Sequence, residues 1–354
     1  MTGNIISHAT PVAVLGTGSA LPGNCSSTTD LVDLLAPYLA ARTARRAKRL
    51  ARTLAIETRY FSRSFARSIE NPNAADTAPR LAARAVQGAL QEAGLKIAAL
   101  DMLIGHTTTP HSLLPSNAAW VAEELAFAGP HIELRQACTG FAASAVCAAA
   151  LIDGGARSIA IAGSEVGSVM LDLERVDQDS AQLVNLLQMG DGAGAVILGP
   201  VQQQGQSRIQ CLFYGSLEGA HAPAISLPHG GSGSPAVPHS GITHFDHDFT
   251  HIRDHGTDLL RAGLEAALAM GIDDSRVDWW MPQQVNGRMA EICARHFGLP
   301  AHRVIVEAAA VGNLGSAAMW VALDRVRRSG RLKGGDRVLV LGAEASKYMY
   351  GGFL

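Results

Sequence analysis

The sequence predicts an alternating α/β protein made of two homologous halves, and three observations carry that prediction. The chain repeats itself: Gly94–Asp101 (GLKIAALD) runs into MLIGHTTTP, and Gly271–Asp278 (GIDDSRVD) runs into WWMPQQVN 177 residues later, each after a helix-forming stretch rich in Ala, Leu and Glu. A second pair is longer: CTGFAASAVCAAALIDGGARSIAIAGSE (138–165) matches NLGSAAMWVALDRVRRSGRLKGGDRVLVLGAEA (313–345), each a small-residue turn, a helix, a Gly loop, a β-branched strand and then Gly with an acidic residue. Third, 354 residues that are 47% hydrophobic and only 17% charged can bury a core spanning both halves. The period is far too long for a solenoid. In such a duplication equivalent loops meet about a pseudo-twofold axis, which predicts that Cys138 and Asn313, and His106 and Gln283, face one cleft.

The elements follow in order. Val12–Gly16 reads as a strand entering a Gly/Ser loop, 30–53 as a helical region and Pro79–Ala93 as a helix. Met102–Gly105 is a strand, Pro115–Leu125 a helix, Cys138–Gly154 a buried Ala-rich helix and Ser158–Gly163 a strand. Residues 172–189 read as a polar loop, and GDGAGAVILG (190–199) as glycines feeding a β-branched strand. It lacks the G-x-G-x-x-G spacing and precedes a strand, which argues against dinucleotide binding. The boundary between halves is expected near Gly199 and Pro200, giving an N-terminal half 1–199 and a C-terminal half 200–354. Ile209–Tyr214 reads as a strand, followed by a Gly/Pro/His loop over 220–251 that is too long to be a mere connection.

Composition excludes several function classes. A net charge of −2 argues against a nucleic-acid partner. The start MTGNIISHATPVAVLGTG has no basic n-region, and no run of 18 uncharged apolar residues suggests a membrane span. Five scattered cysteines without C-x-x-C spacing fit a reducing cytoplasm and no zinc site. His244, His247, His251 and His255 run at i, i+3, i+7 and i+11, a helix-face spacing that reads as a polar lid or helix face in preference to a metal site. Arg42, Arg45, Arg46, Lys48, Arg49 and Arg52 form a basic run, ordinarily a solvated helix face and alternatively a surface for an acidic partner.

The chemistry centres on Cys138. A side chain at a helix N-terminus sits among unpaired N–H groups at the positive end of the dipole, which favours thiolate over thiol. The small residues Thr139, Gly140, Ala142, Ala143 and Ser144 leave room for a substrate at the sulfur. A small core cysteine is the competing reading.

With CTGF, GDGAGAVIL, WWMPQQVNGR and GNLGSAA in this order and spacing, the chain resembles the β-ketoacyl-acyl carrier protein synthase III family of the thiolase superfamily, over nearly its whole length. The resemblance implies a duplicated five-layered αβαβα fold, a cytoplasmic homodimer and no cofactor. It also implies transfer of an acyl group from acyl-coenzyme A (acyl-CoA) to a cysteine, then decarboxylative condensation with malonyl-acyl carrier protein. It assigns the nucleophile to Cys138, a catalytic asparagine to Asn313 and a carrier-protein contact to Arg288. Where the family has histidine in P-H-Q-A-N this chain has Gln283, in Pro282-Gln283-Gln284-Val285-Asn286. An amide N–H can donate to a thioester oxygen as an imidazole N–H does, but Gln cannot change protonation state. The family's C-terminal glycine-rich turn is replaced by Glu344-Ala345-Ser346-Lys347, so the oxyanion donors are expected to be the backbone N–H groups of Cys138 and Ser346. Three readings follow: a ketoacyl synthase with a Cys/Gln/Asn set, a same-fold acyltransferase to an oxygen, nitrogen or sulfur acceptor without decarboxylation, and a non-catalytic subunit of a heteromeric synthase.

Overall fold

In this computed structural model residues 2–23, 25–63, 65, 76–217, 222–237 and 243–354 are described. The chain opens with β1 (Thr2–His8) and β2 (Val12–Ala20), then α1 (Thr28–Leu35) and α2 (Ala41–Leu54). The single helical region expected over 30–53 is thus two helices. Pro37 lies in the tight 3-10 turn Ala36–Tyr38 that separates them, since proline lacks the N–H a continuing helix needs. Next, α3 (Ala78–Ala93), β3 (Met102–His106), α4 (Asn117–Glu124), β4 (His131–Leu134), α5 (Gly140–Asp153) and β5 (Ile159–Glu165) alternate.

A helix, α6 (Ser180–Gln188), corrects the polar loop expected over 172–189. Asp179 caps it by accepting from the Ala181 N–H at 2.8 Å, and Leu183, Leu186 and Leu187 pack against α1 and α2. Gln182, Asn185 and Gln188 on the same helix are buried too, which is why its sequence reads as polar. β6 (Gly192–Pro200) closes this half of the chain.

The remainder supplies β7 (Arg208–Ile209), β8 (Leu212–Leu217), α7 (Phe249–Ala269), β9 (Trp279–Pro282), α8 (Met289–Phe297), α9 (Ala308–Val311), α10 (Ala318–Arg328), β10 (Val338–Glu344) and β11 (Met349–Phe353). Within 220–251 the described residues contain a two-stranded ribbon, Ile225–Ser226 against Asp246–His247, and the first turn of α7.

Two large sheets result, with the same order, beside the ribbon above and a second one, Cys25–Ser27 against Thr58–Tyr60. The first runs β7-β2-β6-β5-β3-β4 and the second β1-β8-β11-β10-β9, with a bridge from Trp280 to Val304 where β4 would stand. The senses agree pair by pair. β3 with β5 and β9 with β10 are parallel, while β5 with β6, β6 with β2, β10 with β11 and β11 with β8 are antiparallel. β1, first in sequence, belongs to the second sheet, and β7 lies on the edge of the first.

The repeated Gly–Asp segment makes the same turn twice. Gly94 and Gly271 have φ of 66° and 86°, left-handed values at which a side chain would be strained. Seven residues on, the Asp101 carboxylate accepts from the Arg157 and Ser158 N–H groups, and the Asp278 carboxylate accepts from the Arg337 N–H. Each aspartate thereby ties the start of one strand of the parallel pair to the start of its neighbour.

Five layers follow from which faces are apolar. α5 and α10 lie between the sheets, where Ala142, Ala145 and Ala149 of α5 and Trp320 and Val326 of α10 join Ile161 and Val196 of the first sheet and Met281 and Val340 of the second in one core. Alanines on α5 let the backbones approach closely. α3 and α4 cover the outer face of the first sheet through Leu81, Val86 and Val121, and α7 and α8 cover that of the second through Leu260, Ala266 and Met289.

Candidate active site

Cys138 precedes the central helix α5 and follows β4, and its neighbours are pinned by one carboxylate. Glu344, at the end of β10, accepts from the Thr139 N–H at 3.0 Å, the Thr139 hydroxyl at 2.6 Å and Gln136 Nε2 at 3.0 Å. Ser346 donates its hydroxyl to the same carboxylate. The equivalent strand end in the first half does the converse. Glu165, closing β5, accepts from the Ser316 N–H at 3.0 Å, the Ser316 hydroxyl at 2.8 Å and the Thr108 hydroxyl at 2.7 Å, just ahead of α10. Ser316 also donates to the Gln136 carbonyl at 3.3 Å, so the two loops touch.

These carboxylates change the expected state of the nucleophile. Part of Cys138 reaches the surface, but its thiol is desolvated, and burial with Glu344 and Glu165 nearby pushes it well above the ordinary thiol range. Burial and the two carboxylates thus oppose the thiolate that the helix terminus favours. The first free N–H of the helix entry, that of Thr139, already serves the Glu344 anion, and one N–H cannot fully stabilise two negative charges.

His106 ends β3 beside Gly163 and lies under the start of α5. A Cβ on Gly140 would fall 2.4 Å from its Nδ1 and one on Gly163 2.5 Å from its Cε1, so both glycines are demanded by the imidazole. Trp320 donates its indole N–H to His106 Nε2 at 3.2 Å, and burial lowers the His106 pKa to about 3. It is a neutral, enclosed packing group.

Gln283 stands one residue beyond the last register pair of β9 with β10, Pro282 with Leu341, as His106 pairs with Gly163 between β3 and β5. It is 2% exposed, and neither its Oε1 nor its Nε2 has a hydrogen-bond partner among the described residues. Its neighbour Gln284 is fully used, donating to the Pro282 and Ile305 carbonyls and accepting from the Glu307 and Ala308 N–H groups. An unpaired buried amide costs free energy, so a group left in that state has a place in ligand recognition or is strained.

Asn313 is held by its backbone, donating to the Gln188 carbonyl at 2.8 Å and accepting from the Gly190 N–H at 3.1 Å. Its Oδ1 accepts from the Gly315 N–H at 3.0 Å. Arg288 caps another element: it donates to the Arg52 and Thr53 carbonyls at the end of α2 and pairs with Glu291 at 3.0 Å.

The histidines expected to share a helix face are divided. His244 lies in a loop against Arg175 and Asp246, and His247 in the ribbon against Asn185, where burial lowers its pKa to about 4. Only His251 and His255 are on α7, with ring centroids 4.3 Å apart. His239 lies outside the described residues. The site residues missed by sequence reasoning are Glu165 and Glu344, although GSE and GAE recur as equivalent strand ends in the repeat.

The sequence profile of 3-oxoacyl-acyl-carrier-protein synthase III matches residues 132–216, and that of the same family's C-terminal region matches 268–351. The β-ketoacyl-acyl-carrier-protein synthase III of Neisseria meningitidis is 30% identical over 337 residues, 93% of this chain and 94% of that protein. The chain belongs to the 3-oxoacyl-acyl-carrier-protein synthase III family. The synthase III of Sinorhizobium medicae is 30% identical over 269 residues, 75% of this chain and 80% of its own. Among solved structures, the tetronic acid condensing enzyme AbyA1 superposes with a TM-score of 0.82 at 25% identity, over 97% of this chain and 98% of its own. The synthase III of Pseudomonas aeruginosa superposes at 0.78 and 24% identity, over 98% and 97% of the two chains, a likeness of fold. Membership of the synthase III family makes the chain an acyltransferase of the condensing class with a thiolase-like fold.

Proposed function

We propose that this synthase III-like enzyme takes an acyl group from acyl-CoA onto Cys138 and condenses it with malonyl-acyl carrier protein. The observation that supports the reading is the buried amide of Gln283, at the position equivalent to His106 and without a hydrogen-bond partner among the described residues. Decarboxylation of a malonyl thioester needs donors for the developing enolate oxygen, not a base, because the electron pair comes from the breaking C–C bond. Gln283 Nε2 and Asn313 Nδ2 are both donors. Carbon dioxide leaves, the enolate carbon attacks the acyl thioester, and the Cys138 sulfur departs as thiolate and takes from solvent the one proton that the condensation consumes. In the first half-reaction the Cys138 proton goes to the leaving sulfur of coenzyme A, and the backbone N–H groups of Cys138 and Ser346 serve the tetrahedral oxyanion.

A cavity of about 450 Å³ lined by Val32, Asp33, Lys48, Ala51, Arg52 and Glu57 has room for the nucleotide end of coenzyme A, with Arg52 as its cation for a phosphate, since Lys48 pairs with Asp33 at 3.1 Å. A homodimer is part of the reading, supported by Leu113 and Leu114, 67% and 88% exposed, and by the free edge of β4 with Ile132 exposed. So is a cytoplasmic setting, supported by five free cysteines. The halves 1–199 and 200–354 stand as the units of duplication, with β1 exchanged into the second sheet.

Incubation with a series of acyl-CoA thioesters followed by mass spectrometry tests the first step: the wild type should gain one acyl mass and Cys138→Ala none. Acylation of the variant sinks the nucleophile assignment, and no acylation of either protein sinks catalysis altogether. Release of carbon dioxide from malonyl-carrier protein tests the second step.

A second reading is favoured by the likeness to AbyA1. A tetronic acid ring is a lactone, so its assembly requires a carbon–oxygen bond besides a carbon–carbon bond. On that reading the acyl group of Cys138 passes to an oxygen acceptor, and acylation proceeds without carbon dioxide release.

A further inference from the structure

Helix α2 spans 14 residues and carries Arg42, Arg45, Arg46, Lys48, Arg49 and Arg52, all exposed, with no acidic residue in its sequence, in a chain whose net charge is −2. The five arginines fall at i, i+3, i+4, i+7 and i+10, one continuous stripe about 15 Å long. Of the six cations only Lys48 has an ion pair among the described residues, with Asp33 at 3.1 Å. Asp177 meets the helix at its start, accepting from the Ala40 N–H at 3.1 Å, and pairs with none of the arginines. Adjacent like charges at helical spacing repel and oppose the helix. Anchorage comes from Ala47, Leu50 and Leu54 on the opposite side. A stripe of arginines that weakens its own helix and has no ion pair among the described residues is explained by a polyanionic partner.

We propose that the α2 stripe docks the acidic carrier protein, delivering its thioester arm past the end of the helix; this rests on the carrier-dependent condensation proposed above. Two features choose this occupant. The stripe ends at the cavity lined by Lys48, Ala51 and Arg52, so a partner lying along α2 presents its prosthetic arm at that mouth. Arg288, the carrier contact implied by family resemblance, is bonded to the last carbonyls of α2 and neutralised by Glu291, so it supports the end of the surface while the free arginines supply the attraction.

The triple variant Arg42→Ala/Arg45→Ala/Arg49→Ala keeps a good helix former at each position and touches neither the cavity nor the site residues. Three quantities are measured on the full chain: KM and kcat with malonyl-acyl carrier protein, the same with malonyl-pantetheine, and binding of unloaded carrier protein by fluorescence anisotropy. The expected result is a carrier KM raised roughly tenfold or more, a flatter salt dependence, weaker carrier binding, and unchanged kinetics with malonyl-pantetheine. Carrier binding equal to wild type overturns the proposal. So does a variant that keeps carrier binding but loses affinity for anionic phosphatidylglycerol vesicles or for duplex DNA. If no acyl-CoA acylates wild type while carrier binding still depends on the three arginines, the functional reading fails and the docking surface stands.

Discussion

Glu165 and Glu344 end equivalent strands of the two halves, and each carboxylate holds the helix entry of the opposite half: Glu165 takes the Ser316 N–H and Glu344 the Thr139 N–H. The exchange locks the halves across the pseudo-twofold and leaves two anions beside one thiol. Structural registry and nucleophile reactivity are therefore set by the same pair.

Cys138 should be a slow thiol in the resting enzyme. Iodoacetamide at pH 7 should label the exposed Cys25 before Cys138, and peptide mapping reads the order. Glu344→Gln removes one of the charges that raise the Cys138 pKa, so the alkylation profile of Cys138 should move to lower pH. The unfolding free energy of the variant should fall by about 1–3 kcal/mol, because charge-assisted bonds to Thr139 and Gln136 become neutral ones. An unmoved profile would show that the carboxylate does not act on the sulfur.

Gln283 is expected to serve the second half-reaction. Gln283→Ala should lower carbon dioxide release from malonyl-carrier protein by roughly 10²- to 10³-fold, the cost typical of one lost oxyanion donor, and lower Cys138 acylation less. Gln283→His should preserve or raise condensation. Equal ratios of decarboxylation to acylation in all three proteins would reduce Gln283 to a packing residue.

Asp191, in the GDGAGA segment, is fully buried and accepts from the Ser62 N–H at 2.7 Å and the Ser168 N–H at 2.9 Å, yet burial still raises its pKa from 3.8 to about 6. The folded state therefore binds this proton more tightly than the unfolded chain. Its contribution is fully present below about pH 4 and is lost as pH rises through 6, by roughly 3 kcal/mol. The stability of wild type minus that of Asp191→Asn should fall across this window in urea titrations; a flat difference contradicts the burial effect.

Gly163→Ala would set a Cβ 2.5 Å from His106 Cε1 and 2.6 Å from the Ser316 carbonyl oxygen. The expected loss is about 1–3 kcal/mol of stability by overpacking. Adding His106→Ala should recover only part of it, because the carbonyl is backbone and cannot turn aside. Full recovery in a denaturant titration would show that the imidazole alone demands the glycine.

The duplication was legible in the sequence because its marks are local: a left-handed glycine, an aspartate seven residues on, and a small-residue turn before a helix all leave fixed spacings. The position of Cys138 at a helix entry was legible for the same reason. What opposes its ionisation was not, since burial depends on the whole fold and Glu344 reaches it from 206 residues away. α6 was hidden because its buried face includes Gln182 and Asn185, which meet the Phe245 carbonyl and so need a partner that local periodicity does not show. The histidine run failed as one helix face because the ribbon ends at His247 and α7 begins only at Phe249.

Strand β1 pairs with β8, setting Thr2 opposite Leu217. During synthesis from the N-terminus, at about 5–20 residues per second, the first strand waits roughly ten to forty seconds for its partner to be made. Through that interval it is an orphan edge carrying Ile5 and Ile6, which stay exposed even in the finished fold. The first sheet can close without it, so β1 is held in reserve until the second sheet assembles, and the order of synthesis sets the order in which the two sheets are completed.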